Sequence, residues 1–377
     1  MTAGCGQQKP AWDTAAGVLV SPAGKTSVTE AIKAVETAVP LRTMQSSGLA
    51  GAMGGVRLNA FRAGSYDVRL PLPQMIDGQT PVCYSLNAVP ETALTECRVQ
   101  EQRDGNTFVT LKLNVTKGQQ IVIEWSSVIL IAARPLSENR TPPEACRAAT
   151  ACVQSDAPLI RELAEKLWPA TGGIQDYAAN IQAFIRDMKL KEQPMSLDAL
   201  GILDSGDNRI CTANANLACA LMRAKQIPCR SVATLPTISR RFEMHRVVEY
   251  FDNGAWISFD PSSVNVDIPL KPWQNTVMAK TTVADEQAAM KPRAGAMPGC
   301  PFGQEIEFSR PGLGLSGQDF FWTIAAPLAE FEVTDEAAAL TAAEWSRYLR
   351  SGTMSAAQLK AASARGLIQY LEAMKAR

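Results

Sequence analysis

The dipeptide Asn253-Gly254 separates two strand-like runs in the segment "HRVVEYFDNGAWISFD". Both residue types tolerate the positive φ angles of a type I′ turn, so the segment predicts a tight antiparallel hairpin. If the pairing is centred on this dipeptide, His245 and Asp260 are diagonal neighbours on one face, with backbones about 7–8 Å apart. An imidazole and a carboxylate can share a hydrogen bond over that spacing, whereas a register shift of one residue would separate them.

Cys211 stands where a polar loop, "SGDN", gives way to a run of Leu, Ala and Met residues at helical spacing. A thiol at a helix N-terminus lies near the positive end of the helix dipole and near unpaired amide hydrogens, which favour the thiolate. The backbone N–H of Cys211 could also donate to an oxyanion. Most cysteines are instead small buried apolar residues, and we assign Cys219 and Cys229 to the core on that basis.

Cys211, His245 and Asp260 together predict a catalytic triad. His245 would accept the thiol proton, and Asp260 would orient the imidazole and stabilise its protonated form. A lone histidine on a strand is more often structural than catalytic. Here a cysteine at a helix start precedes the histidine and an aspartate in register follows it, so we interpret the three residues as catalytic.

Composition argues against several other classes of function. Lys plus Arg and Asp plus Glu number 37 each, so no net charge attracts nucleic acid or anionic lipid. With one histidine and no pair of CxxC motifs, a zinc site is not expected, and we predict neither metal nor cofactor. The longest apolar run, 128–133, is far shorter than the roughly 20 residues of a membrane helix, so we predict no transmembrane segment.

The remaining cysteines bear on the cellular compartment. Cys5 follows Ala-Gly and precedes small polar residues, as the lipidated cysteine of a bacterial lipoprotein does; a free thiol on a tail is the alternative, because no apolar stretch precedes it. Cys83 with Cys97, and Cys146 with Cys152, lie close enough in sequence for disulfides, with buried free thiols as the alternative. We predict an extracytoplasmic protein, periplasmic or on the cell surface.

A chain of 377 residues is long enough for two or three domains. We predict a tail with one short helix (1–55), a β-sandwich domain (56–135), a linker (136–150), a catalytic domain (151–334) and C-terminal helices (335–377). The glycine-rich stretch "QSSGLAGAMGGVR" is predicted to be a loop. Within the catalytic domain, the range 271–318 is predicted to be a long irregular excursion, after which "DFFWTIAAPLAEFEV" returns as a strand.

Over about residues 155–265, the chain resembles the transglutaminase-like superfamily of papain-like cysteine enzymes. The resemblance depends on Cys211 at a helix start, on "RAKQIPCRSV" closing that helix, and on "MHRVVEYFDNGAWISFDPS". It implies an α+β fold in which the cysteine helix packs on an antiparallel sheet, and the preceding β-domain resembles bacterial, often exported, members. Arg246 and Asn214 stand where family members usually have aromatic or hydrophobic residues.

The resemblance implies thiol-based acyl transfer at the amide bonds of peptides or proteins through a thioester. We expect hydrolysis, with amine-accepting cross-linking as the alternative. A catalytically idle binding or scaffold module of the cell envelope is a second hypothesis. For the oxyanion, the backbone of Cys211 is one donor, and Asn208 or a tryptophan is the candidate second donor. Trp256 is predicted to pack behind the triad.

Overall fold

The computed structural model describes residues 47–74, 76, 78–101, 106–131, 143–191, 196–236, 245–263, 267–290, 307–315 and 321–330. The strands are β1 Gly48–Ala60, β2 Gly64–Pro71, β3 Gln79–Val89, β4 Leu94–Glu101, β5 Thr107–Val115, β6 Gln120–Ile131, β7 Cys229–Pro236, β8 His245–Asp252, β9 Ala255–Phe259, β10 Asn275–Lys280, β11 Glu307–Phe308, β12 Leu313–Leu315 and β13 Phe321–Glu330. The helices are α1 Pro158–Leu167, α2 Ile174–Asp187, α3 Ala199–Ser205, α4 Cys211–Ala224 and α5 Val283–Gln287.

Two antiparallel sheets form a β-sandwich in the first part of the chain, as predicted. One sheet has the order β12-β1-β6-β3, with β13 also paired to β1, and the other has the order β11-β2-β5-β4. Side chains alternate along β5, where Leu111 and Leu113 are buried and the residues between and after them are exposed. These leucines meet Leu58 and Ile123 of the opposing sheet in one hydrophobic core.

The prediction of a glycine-rich loop over 45–57 is wrong for its described part, because β1 is a strand of 13 residues. Its residues pair with β6 on one side and with β12 and β13 on the other. Glycine disfavours an isolated strand, but pairing on both sides satisfies the backbone of β1, and its Ala50 and Ala52 are fully buried. Long-range pairing therefore overrides local propensity.

The segment "DFFWTIAAPLAEFEV" contains a strand, as predicted, but that strand belongs to the sandwich. β13 pairs with β1, while β12 pairs with β1 and β11 pairs with β2. The described residues of 307–330 therefore belong to the two sandwich sheets. The prediction had placed them in the catalytic domain because of their position in the sequence.

The second half is α+β, with a cysteine helix on an antiparallel sheet, as predicted. The sheet has the order β10-β7-β8-β9, and α4 packs against β7 and β8. Helix α4 is buried from Ala213 to Arg223, surrounded by α1, α2 and α3 on the side away from the sheet. Tyr177 of α2 donates its hydroxyl to the carbonyl of Leu221 at 3.0 Å, which fixes α2 against α4.

The predicted irregular excursion over 271–318 contains regular structure. β10 is an edge strand of the catalytic sheet and pairs with β7, and α5 follows it with Thr282 as its N-cap. Local composition hid β10, because its pairing partner lies far away in sequence. The proline- and glycine-rich part of the range, 291–306, lies outside the described residues.

Side chains of the sandwich pair with the outer edge of β10. Gln79 accepts from the Val277 amide at 2.8 Å and donates to the Val277 carbonyl at 3.0 Å. Asn106 makes the same two bonds with Lys280, each 2.8 Å long. Two amide side chains thus occupy the position of a neighbouring strand, and the sandwich covers an edge that would otherwise be open.

A buried ion pair joins α4 to α5. Arg223 and Glu286 are each 1% exposed, and the guanidinium binds both carboxylate oxygens at 2.7 and 2.9 Å. Arg223 also donates to the Ala148 carbonyl, and Thr150 donates to Glu286. The described part of the predicted linker therefore packs against this pair, and it includes a short 3-10 helix, Glu144–Arg147.

Neither predicted disulfide is present among the described residues. Cys97, Cys146 and Cys152 are free and buried, so the thiol alternative applies to them. Cys219 and Cys229 are also buried free thiols, as predicted. Cys5, the N-terminal helix and the C-terminal helices lie outside the described residues. Within the described ranges, no helix has the length and apolar character needed to cross a bilayer.

Candidate active site

The β8–β9 hairpin has the predicted turn and register. Asn253 and Gly254 adopt φ angles of 47° and 84°, and Val248 pairs with Phe259. His245 begins β8, and Asp260 follows directly after β9. The two positions predicted to be diagonal neighbours are therefore brought together at one end of the hairpin.

His245 and Asp260 form a short hydrogen bond, with 2.7 Å between Nε2 and Oδ2. The Ser262 amide donates to Oδ1 at 2.8 Å, and the Ser263 hydroxyl donates to Oδ2. Burial of Asp260 works against its ionisation, but the bonds from His245, Ser263 and Ser262 outweigh burial and lower the pKa of the carboxyl below its ordinary value. Gln182 of α2 donates to the Asp260 carbonyl at 2.8 Å and holds the turn in place.

Cys211 is the first residue of α4, and its sulfur faces His245. Because Nε2 of His245 is occupied by Asp260, Nδ1 is the ring nitrogen left for the thiol. Burial raises the pKa of Cys211, but the hydrogen bond and positive charge of His245, with the backbone N–H and charge of Arg246, bring that pKa below the ordinary 9.0. The structure thus brings all three predicted triad residues into one connected group.

The same contacts raise the pKa of the His245 imidazole. Burial disfavours the charged ring, but Asp260 and Cys211 outweigh burial and raise the pKa of His245 to about 10. The thiolate form of Cys211 and the imidazolium form of His245 therefore stabilise each other. Burial raises the pKa of Cys97 and of Cys152 to about 11, so those thiols stay protonated.

The prediction that Asn208 donates to an oxyanion is wrong. Its side-chain nitrogen donates to the carbonyls of Ile185 and Arg186, at 2.9 and 3.0 Å. These carbonyls belong to the last turn of α2, where few backbone donors remain; the Met188 amide also donates to Ile185, at 3.3 Å. Both amide hydrogens of Asn208 are committed to capping α2, so none is left for a substrate.

The role of the Cys211 backbone N–H as an oxyanion donor stays a prediction. The first bond of α4 runs from the Asn214 amide to the Ile210 carbonyl at 3.1 Å. The Cys211 amide precedes that bond and belongs to the first turn, whose N–H groups have no partner within the helix. It lies on the same residue as the sulfur, as an oxyanion donor should.

Asn214 was not among the predicted site residues. It is fully buried, and its side-chain nitrogen donates to the Asn208 carbonyl at 2.8 Å and to the Ser262 hydroxyl at 3.0 Å. The sequence signal was an asparagine one turn after Cys211, within a run of alanine and leucine. A polar residue on a buried helix face implies a specific partner.

Arg246 follows His245 in β8, whereas Trp256 lies in β9 near the hairpin turn. Arg246 is buried and donates to the Thr281 hydroxyl at 2.6 Å. Trp256 packs edge-on against Phe251, with the Arg230 guanidinium 3.9 Å from its ring centre. It lines a cavity of about 350 Å³ that none of the triad residues lines, and its packing behind the triad stays a prediction.

Residues 161–261 match the model of the family described as the transglutaminase-like superfamily. The chain contains a transglutaminase-like domain. The matched range includes Cys211, His245 and Asp260, and the sheet and helices described above give this domain the α+β fold that the resemblance implied. Families of this kind are usually cysteine enzymes, and the geometry around Cys211 is consistent with that chemistry.

One solved structure is similar in fold over more of the chain than the range 161–261. A protein of Cytophaga hutchinsonii, described as a "putative cysteine protease", is 14% identical, with a TM-score of 0.50 over 78% of this chain and 96% of its own. The periplasmic domain of TgpA from Pseudomonas aeruginosa is 16% identical, with a TM-score of 0.30 over 58% of this chain and 88% of its own. At these identities the first similarity concerns the fold alone. No curated protein matches the chain.

Proposed function

We propose that this protein is a cysteine-dependent acyl-transfer enzyme that hydrolyses peptide or glutamine-type amide bonds. The observation that carries the proposal is the connected path from the Cys211 sulfur through His245 to Asp260, with 2.7 Å between the imidazole and the carboxylate. An adjacent base held by a third group is the arrangement that activates a nucleophile.

In the first half-reaction, the Cys211 thiolate attacks the carbonyl carbon, and a carbon–sulfur bond forms. Negative charge moves to the carbonyl oxygen, where the backbone N–H of Cys211 stabilises it. The His245 imidazolium then gives its Nδ1 proton to the departing nitrogen as the carbon–nitrogen bond breaks. The products are a thioester on Cys211 and a free amine, or ammonia from a glutamine side chain.

In the second half-reaction, His245 is neutral and accepts a proton from water. The water oxygen attacks the thioester carbon, the carbon–sulfur bond breaks, and the Cys211 thiolate and His245 imidazolium are restored. Asp260 keeps the ring oriented and its charge balanced through both steps. A primary amine could replace water by the same proton transfers, and that reaction is cross-linking.

Alkylation with iodoacetamide at neutral pH tests the nucleophile. We expect Cys211 to be modified much faster than the buried thiols, and we expect this advantage to disappear in the His245→Ala variant. The Cys211→Ser variant is the control that identifies the reactive site by its loss. Slow, uniform labelling of all cysteines would instead favour the scaffold hypothesis.

Incubation with a glutamine peptide, with and without a primary amine, tests the acceptor. Hydrolysis converts glutamine to glutamate whether or not amine is present, and the mass of the product shows the change. An amine adduct as the main product would replace hydrolysis by cross-linking. A peptide cleaved at a backbone amide would identify peptidase activity instead.

We also propose that the protein acts outside the cytoplasm, with Cys5 as a lipid anchor; the support is the sequence around Cys5. Metabolic labelling with a fatty acid tests this proposal. Label should enter the wild-type protein and be absent from the Cys5→Ala variant, and an unlabelled wild-type protein would contradict the anchor.

A further inference from the structure

Asn214 closes a ring of hydrogen bonds around the triad. Its side chain donates to the Ser262 hydroxyl, and the Ser262 amide donates to Asp260. Asp260 binds His245, which in turn meets the Cys211 sulfur, one helical turn before Asn214. The helix that carries the nucleophile and the turn that carries the acid are therefore joined a second time, independently of the imidazole.

The same asparagine also joins the loop that leads into α4. Its second donor bond goes to the carbonyl of Asn208, whose own side chain caps α2. Gln182 of α2 in turn binds the Asp260 carbonyl. One side chain thus connects three segments of the site: the helix start, the preceding loop and the turn after β9.

Burial of Asn214 is costly for the fold. The side chain is fully buried, and its Oδ1 has no hydrogen-bond partner among the described residues. A buried acceptor left unsatisfied destabilises a fold, and this cost offsets part of the stabilisation from the two donor bonds of Asn214. Those two bonds join the segments that carry Cys211 and Asp260, so alignment of the site accounts for an asparagine here better than core stability does.

We propose that Asn214 is a positioning residue that holds the start of the Cys211 helix in register with the Asp260 turn, so that the sulfur meets an imidazole already oriented by the acid. The inference deepens the proposed function and rests on it. Asn214 itself touches none of the reacting atoms; it acts through Ser262 and through the loop at Asn208.

Three variants and one matched control test the proposal. Asn214→Leu removes both donor bonds of Asn214. Ser262→Ala removes only the bond from Asn214 to the Ser262 hydroxyl and keeps the Ser262 amide that binds Asp260, and the double variant combines the two changes. The control is Asn216→Leu. Asn216 is also fully buried on α4 and has an unpartnered Oδ1, but it donates to the Leu197 carbonyl, away from the triad.

The measurement is the alkylation rate of Cys211 against pH, together with thermal stability and the kinetics of glutamine-peptide turnover. We expect Asn214→Leu to remain folded while its alkylation midpoint moves upward by about one pH unit, so that the rate at mildly acidic pH falls about tenfold. Turnover should fall in kcat with KM little changed. Ser262→Ala should shift the profile in the same direction. The double variant should be no worse than Asn214→Leu alone, because both substitutions remove the same Asn214–Ser262 bond.

The outcomes separate the inference from the proposed function. A wild-type alkylation profile in both Asn214→Leu and Ser262→Ala, with His245-dependent reactivity intact, overturns the positioning role and leaves the enzyme assignment standing. An equal shift in Asn216→Leu also overturns it, because any buried change on α4 would then have the same effect. If wild-type Cys211 shows no His245-dependent reactivity, the proposed function fails and the inference fails with it.

Discussion

His245 and Asp260 lie 15 positions apart in the chain, yet their side chains are 2.7 Å apart across the end of a hairpin. The short distance between the two side chains follows from the turn. Asn253 and Gly254 fix the register of the hairpin, and the register determines which side chains are diagonal neighbours. A single dipeptide therefore determines whether the imidazole has a carboxylate partner.

Replacing His245 with alanine should raise the pKa of Cys211. Burial raises the pKa of the thiol, and the largest opposing contribution comes from the imidazole, which the variant lacks. We expect the midpoint of the alkylation profile to move from below the ordinary 9.0 to 9.0 or above. The profile should be measured by mass spectrometry of the peptide that contains Cys211. An unchanged midpoint would show that the imidazole does not stabilise the thiolate.

Asp260→Asn should lower turnover by about 10²-fold or more, because the imidazole loses the group that orients and charges it. KM for a glutamine peptide should change little, since Asp260 is buried behind His245 and does not face the substrate. Ser263→Ala removes a hydroxyl bond to the same carboxylate but keeps the imidazole–carboxylate pair, so it is the matched control and a smaller loss is expected. Equal activity of Asp260→Asn and wild type would contradict the triad.

Asp260 should also contribute to acid sensitivity. Its pKa in the folded protein lies below the ordinary 3.8, so folding favours the ionised carboxylate. The contribution is complete above 3.8 and is lost as pH falls through the lower folded value. The difference in unfolding free energy between wild type and Asp260→Asn should therefore shrink as the pH drops below 3.8. Urea unfolding across that range measures it, and a constant difference would contradict the linkage.

Removing one partner of the Arg223–Glu286 pair should destabilise the protein strongly. Both side chains are 1% exposed, so Arg223→Met leaves a buried carboxylate whose charge has no partner. Single substitutions of this kind cost about 3–5 kcal/mol in unfolding free energy. The double variant Arg223→Met with Glu286→Leu removes both charges and should recover much of the loss. A double variant as unstable as the single one would show that hydrogen bonds of the pair, and not its charges, dominate.

Gly206→Ala should destabilise the loop before Cys211. Gly206 has a φ of 64°, and an added Cβ would collide with the backbone carbonyl oxygen of Lys189. Gly118→Ala is the matched control, because its φ of 82° carries the same conformational strain but no atom lies within 4 Å of the new Cβ. We expect a loss of about 1–2 kcal/mol for the control and a larger loss for Gly206→Ala, measured by thermal unfolding. Equal losses would mean that the close backbone approach has no energetic consequence.

Local signals were enough to predict the centre of the site. A turn dipeptide, a helix start and strand alternation act over a few residues, and together they bring Cys211, His245 and Asp260 into one group. The role of Asn208 was wrongly predicted because the carbonyls that it caps belong to another helix, and sequence does not show which helix end lies nearby. Asn214 was missed for a similar reason, since its partner Ser262 lies 48 positions away.

The errors in the predicted fold share one cause. β1 is glycine-rich and β10 follows a proline-containing stretch, so local propensity predicts a loop in both places. Each becomes a strand because distant strands pair with it, and those pairings depend on the whole topology. The same applies to β11–β13, which local pattern assigned to the catalytic half.

The pairing of β1 with β13 has a consequence for synthesis on the ribosome. The sandwich begins with residues 48–60, but the neighbour on one side of β1 is made only when residues 313–330 emerge, after the whole Cys211 domain. Until then, one edge of β1 in the nascent chain has unpaired backbone amides and carbonyls, which can pair with a strand of another chain. The sandwich is thus the first domain to begin folding and the last to be completed. How long the edge of β1 stays unpaired depends on the time needed to synthesise the rest of the chain.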